Sequence, residues 1–150
     1  MNDTSSLVAD DLSDIDEAMR IAQNELPVFL GTLFTKKPGE HDGLGPFYVK
    51  VRPTLEGVSE ALWLMLVWWD DTKFMQGLVT NEPKDIALKF RDRLQFEPDD
   101  ICDWMFWNGD ACQGAFMTRL HYQQQGLSEG EISAKLNAMI LEQRASFESS

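Results

Sequence analysis

Apolar and polar positions change period several times along the 150-residue chain, and each change marks an element. Ile15, Met19, Ala22 and Leu26 recur at helical spacing, and Phe29, Leu30 and Leu33 continue the stripe past Pro27. Ser13 followed by Asp16 and Glu17 has the form of a helix N-cap with an acidic first turn. Together these predict a helix over 14–34, kinked near Pro27, since proline is tolerated where a new turn opens. Gly and Pro crowd 36–46, which reads as a loop. Phe47, Val49 and Val51 then alternate with Tyr48, Lys50 and Arg52, the pattern of a half-buried strand.

The stretch 60–69 is apolar on both faces and predicts a central strand covered on both sides. Asp70-Asp71 supplies a turn, 73–80 returns as a hairpin partner, and Asn81-Glu82-Pro83 ends it. Residues 86–90 fit neither period, while 91–96 alternates weakly as a further strand and Glu97-Pro98-Asp99-Asp100 forms a turn. A hairpin follows over 101–107 and 111–115, about Asn108-Gly109. Phe116 to Gln125 reads as a helix stopped by Gly126. Ser128 with Glu131 is a capping box for a last helix over 129–147, carrying Ile132, Leu136, Met139 and Ile140. The order predicts an α+β fold. A curved antiparallel sheet of four to five strands is expected to carry an N-terminal helix and two C-terminal helices packed on one face.

Length sets the expected organisation at one domain over 1–150, with a frayed start over 1–12 and a C-terminal helix at 129–147. The net charge is −12 and every third of the chain is net acidic. That speaks against nucleic acid and anionic membrane surfaces as partners, both of which are held by clustered Lys and Arg. A spread acidic surface more often serves solubility than a specific task; the sharper reading is a protein partner with a basic surface. No apolar stretch approaches the roughly 20 residues of a membrane-spanning helix, and the start has no basic and apolar leader, so a cytoplasmic protein is expected.

Cys102 and Cys112 flank the hairpin. A two-residue turn would set Met105 against Cys112 and Trp107 against Asp110, and a three-residue turn would set Cys112 beside Phe106. In either register the two sulfurs lie about 13 Å apart or point to opposite faces, so no disulfide is expected. With two remote histidines, His41 and His121, and no Cys-x-x-Cys, no metal site and no cofactor are expected.

All five tryptophans lie between 63 and 107. Trp68 and Trp69 point to opposite faces of one strand, so either is a candidate anchor for a partner. Asp103 interrupts the apolar run Ile101-Cys102-Asp103-Trp104-Met105-Phe106-Trp107. A carboxylate there faces water at an edge, caps a helix, accepts bonds from the 98–100 turn, or pairs with Arg119, and the pairing is the leading expectation. No nucleophile elbow, phosphate loop or zinc-protease motif occurs.

The elements Phe47-Tyr48-Val49-Lys50-Val51, Leu62-Trp63-Leu64, Gly77 to Pro83, Ile101-Cys102-Asp103-Trp104-Met105 and Gly114-Ala115-Phe116-Met117-Thr118-Arg119 resemble a bacterial family, domain of unknown function 2314 (YegJ-like). The resemblance covers roughly 15–125. Its most specific pieces are Asn81-x-Pro83 and Ile101-x-Asp103-Trp104-Met105. The family usually shows Gly-Asp before the strand that precedes the latter; here that place reads Phe90-Arg91-Asp92-Arg93, without the glycine. The resemblance implies a small α+β domain, supplies no activity, and makes Asp103, Trp104, Thr118 and Arg119 the residues to test together.

Two classes of function are therefore carried forward. One is a non-enzymatic protein-interaction domain, of inhibitor or immunity type, using Trp68, Trp69, Trp104 and surface carboxylates. The other is a small-ligand or enzymatic pocket using Asp103 and Arg119. A homodimer that buries the aromatic sheet face is a further arrangement compatible with the composition.

Overall fold

In the computed structural model the described residues are 16–35, 39–40, 47–70 and 74–148. Helix α1 (16–24) passes into α2 (Leu26–Leu33) through Glu25 alone. Pro27 sits in the first turn of α2, where its missing N–H costs nothing, and the Val28 N–H donates to the Glu25 carbonyl at 2.9 Å across the joint. The kinked helix is thus as the spacing predicts; the Ser13 cap lies outside the described residues.

The strands are β1 (Gly39–Glu40), β2 (Phe47–Val51), β3 (Thr54–Leu55), β4 (Val58–Ser59), β5 (Leu62–Trp69), β6 (Met75–Val79), β7 (Arg93–Phe96), β8 (Asp103–Trp107) and β9 (Cys112–Gly114). A short 3-10 turn, Pro98–Asp100, joins β7 to β8, and α3 (Phe116–Gln124) and α4 (Glu129–Glu148) follow β9. The main sheet is antiparallel in the order β7-β6-β5-β2-β8-β9, with β1 pairing the far end of β5. It therefore has six strands in line rather than four to five, because the weakly alternating 93–96 stretch does pair. The β3–β4 hairpin, with Glu56 and Gly57 both at positive φ, stands off it as a separate pair.

The expectation of helices on one face is corrected. Alternate residues of β2 enter different cores. Phe47, Val49 and Val51 join Leu62, Leu64, Leu66 and Val79 beneath Ala22, Phe29 and Leu33 of the N-terminal helices. Tyr48 joins Met65, Val67 and Met105 beneath Ile132, Leu136 and Ile140 of α4. So β2 is not half-buried: Tyr48 is 1% exposed, and its polar tip made the face look wetter than it is. Strands buried on both sides carry apolar residues at every position, which is what 62–69 shows.

The hairpin register also differs from both predicted ones. Trp107 faces Cys112, and Met105 faces Gly114. The Asn108 Oδ1 accepts from the N–H groups of Asp110 (2.8 Å) and Ala111 (2.9 Å), so the asparagine builds a four-residue loop instead of a two-residue turn. Both cysteines are free thiols, as expected.

Candidate functional site

Asp103 is the first residue of β8, directly opposite Lys50 of β2 and beneath the start of α3. It is fully buried, and its carboxylate is the anchor of a strand-to-helix turn. Asp103 Oδ1 accepts from the Trp104 N–H at 2.8 Å and the Phe116 N–H at 3.1 Å; Oδ2 accepts from the Met117 N–H at 3.0 Å. The residue preceding α3 is Ala115, whose side chain cannot cap, so a carboxylate from another strand takes the first two free N–H groups of the helix. The positive end of the helix also favours a negative charge there. Against these bonds works the removal of the group from water. Burial is the larger influence and holds the Asp103 carboxyl above its ordinary value of 3.8.

The chain enters α3 through two successive left-handed residues, Gly114 at φ +89° and Ala115 at φ +56°. The Ala115 N–H closes on the Trp104 carbonyl at 2.6 Å. A Cβ at Gly114 would lie 2.2 Å from that carbonyl and 2.5 Å from the Trp104 ring, so no other residue fits. Trp104 in turn ties three elements together. Its Nε1–H donates to the Ala22 carbonyl at 2.9 Å, and its ring packs against Phe29 (5.4 Å between centroids) and edge-on to Phe116 (5.2 Å).

Asp103 and Arg119, the expected pair, are not paired. Arg119 Nε donates to the Gly114 carbonyl at 2.9 Å and Nη2 to the Cys112 carbonyl at 3.3 Å. The physical reason is the same for both residues: the turn leaves main-chain donors facing Asp103 and main-chain acceptors facing Arg119, and each side chain answers the nearer set. Of the other candidates, Trp69 and Trp104 are core residues and only Trp68 is partly open. A register shift in β5 between Leu66 and Trp68 carries Trp69 onto the face of Leu66 and leaves Trp68 outside both cores. Thr118 lies with Lys50 and His121 along a shallow surface depression.

Sequence reasoning passed over Lys50, whose ammonium lies 5.7 Å from the Trp63 ring centre in the row Asp103–Lys50–Trp63 across three strands. Only strand register brings those residues together, and the alternation of β2 marked Lys50 merely as outward. It also passed over a cleft of about 400 Å³ that reaches from β7 to the end of β2 and the start of α3, lined mainly by Met19, Val51, Leu94, Phe96 and Met117, with Arg52, Asp100 and Cys102 also at it. Asp103 lines none of the clefts described, whereas Arg119 lines a shallower one of about 340 Å³ with Glu25, Trp104 and Phe116. Among the described residues no three His, Cys, Asp or Glu side chains are placed to hold a metal ion. None of their helices is long and apolar enough to cross a membrane.

Comparison with known proteins gives a match over residues 13–139 to a bacterial family described as "Uncharacterized protein conserved in bacteria" (DUF2314). The match runs beyond the 15–125 span of the recognised motifs, through the first half of α4. The chain is 26% identical over 107 residues to "Uncharacterized protein YegJ" of Escherichia coli (strain K12), covering 71% of this chain. It spans 65% of that relative's length. No solved structure matches.

Proposed function

This chain belongs to the DUF2314 family of bacterial proteins, and we propose that it is a non-enzymatic binding domain for a protein partner that presents a basic surface. The observation that carries the reading is how Asp103 is used. A buried carboxylate is the first group to suspect of acid–base chemistry. Here all three of its hydrogen bonds go to main-chain N–H groups of its own fold. The group is closed to a ligand, and Arg119 is turned onto two carbonyls of β9. A pocket built on Asp103 would have to dismantle the start of α3 to reach its carboxylate.

Among the described residues the rest of the charge lies outside the cores. Asp103 is the one buried acid among the described residues of a chain with 25 acidic and 13 basic side chains. Such a surface raises encounter rates with basic partners and repels acidic ones. The test is affinity capture at low salt, elution on a salt gradient, and titration of the isolated partner. A stoichiometric complex with a basic protein is expected, weakening as salt rises from about 50 to 500 mM and the screening length shortens. Stabilisation by a small metabolite that is chemically turned over, with no salt-sensitive protein complex, would overturn the reading.

A further inference from the structure

The two borders of the sheet are finished differently. At β9 three outward-facing main-chain groups are occupied: the Cys112 N–H donates to Asn137 Oδ1 at 2.8 Å, and Arg119 takes the carbonyls of Cys112 and Gly114. A border so occupied cannot accept another strand. At the opposite border, β7 ends the strand order. The Val79 N–H donates to the Asp92 carbonyl at 2.9 Å, and the ladder alternates from there. Leu94 and Phe96 therefore bond inward to β6, and the main chain of Gln95 faces outward. The Gln95 side chain leans back toward β6, accepting from Gln76 Nε2 at 3.4 Å, and among the described residues nothing bonds the outward main chain of the exposed Gln95.

Beside the same strand opens the 400 Å³ cleft, with Leu94, Gln95 and Phe96 in one wall and Met19, Val51 and Met117 among the rest of its lining. A strand border and an adjoining apolar recess are the two parts of a site that accepts an extended peptide: main-chain bonds give affinity and a recess reads alternate side chains. Arg52 and Asp100 offset each other at the cleft, so the bias in charge comes from the whole chain at −12. That charge makes a second copy of the chain the wrong occupant, since the two would repel, and a basic one the right occupant.

We propose that β7 is a docking edge for an extended, basic segment of a partner protein, which adds as a further strand beside Gln95 and seats one apolar side chain in the cleft. The proposal rests on the protein-binding reading above and locates it.

The test pans the full chain against a phage-displayed library of random dodecapeptides and resynthesises the winners. Selected peptides are expected to alternate apolar with polar residues, to be rich in Lys and Arg, and to slow amide exchange at Gln95. Gln95→Pro removes the outward N–H without breaking a ladder bond, so the fold survives, as a melting curve would confirm. It should weaken peptide binding at least about tenfold, the loss of one main-chain bond together with its strand geometry. As a second measurement on unaltered protein, N-methylation of alternate peptide amides should abolish binding in one phase and spare it in the other.

Peptides that bind Gln95→Pro normally and tolerate N-methylation in both phases would overturn the edge while leaving protein binding in place. Failure to select any peptide also overturns it, and the capture experiment then decides the broader reading alone. Self-association lost in Gln95→Pro would assign the edge to a second copy. Decanoate bound equally by both proteins, with no peptide competing, would assign the cleft to a small apolar acid.

Discussion

Replacing Asp103 by alanine and by asparagine separates the two things the carboxylate does. Alanine removes every acceptor from the Trp104, Phe116 and Met117 N–H groups. A buried donor left without a partner costs about 1–3 kcal/mol, and an N-cap lost to alanine about 1 kcal/mol. Phe116 and Met117 are partly exposed, so water recovers some of this, and the buried charge is removed as well. A net loss of about 2–4 kcal/mol follows, or roughly 5–15 °C in Tm at this chain length. Asparagine keeps one oxygen and sheds the charge. Because burial outweighs the bonds and holds the folded carboxyl above 3.8, part of what Asn loses at Met117 is returned as relief of desolvation. Its cost at neutral pH should be no more than about 1 kcal/mol.

The pH dependence has a definite sign. A folded pKa above the unfolded one means the folded protein keeps this proton after the unfolded chain has released it. The stabilisation from this group is complete below 3.8 and declines as pH rises through the folded value. The wild type should therefore lose ground to the Asn variant as pH climbs out of the acid range. Urea denaturation followed by circular dichroism, on all three proteins from acid to neutral pH, measures both effects. Alanine within about 0.5 kcal/mol of wild type would refute the capping argument. Asparagine as costly as alanine would refute the claim that burial outweighs the bonds.

Gly114→Ala, which drives a Cβ into the Trp104 carbonyl and ring at a positive φ, should cost more than about 3 kcal/mol and cut soluble yield; the urea midpoint reads it. Arg91 sits at φ +76°, so Arg91→Gly should be neutral or stabilise by up to about 1 kcal/mol, and a melting shift of several degrees downward would contradict this. Burial pushes the Cys112 thiol up to about 11 and also raises Cys102, so both should alkylate slowly in the native protein at pH 8. Cys102, which lines the cleft, should react before Cys112, and peptide mass spectrometry of iodoacetamide-treated samples gives the order.

Period was legible and register was not. The kinked helix, the doubly buried β5 and the Ser128–Glu131 cap could be read because each is written in residues close in sequence; the cap is present with bonds of 2.9 and 3.2 Å. The hairpin register could not, because one asparagine oxygen decides between loops that the same dipeptide permits. Trp69 entered the core on the face opposite to simple alternation because of a register shift, which leaves no periodic trace. Residues 86–90 fit no period for a physical reason. Their course is set by distant carboxylates: Glu60 accepts from the N–H groups of Lys84, Asp85 and Ile86, and Glu82 from that of Phe90. The missing family glycine left a trace of another kind. Arg91 holds the left-handed conformation a glycine would take freely, at some cost in strain.

The misplaced Asp103–Arg119 pair shows what residue type alone cannot decide. An acid and a base brought near each other need not meet when main-chain groups of the opposite kind lie closer. Here the carboxylate finishes a helix and the guanidinium finishes a sheet border. The polar residues of the aromatic centre are thus committed to one end of the sheet, from β8 through α3. Substitutions there should read out as stability, through folding of the turn. Substitutions on the outward main chain of β7 should leave stability nearly untouched and read out as binding. The division is sharp enough that a single pair of variants, Asp103→Ala and Gln95→Pro, tests it in opposite directions on the same two assays.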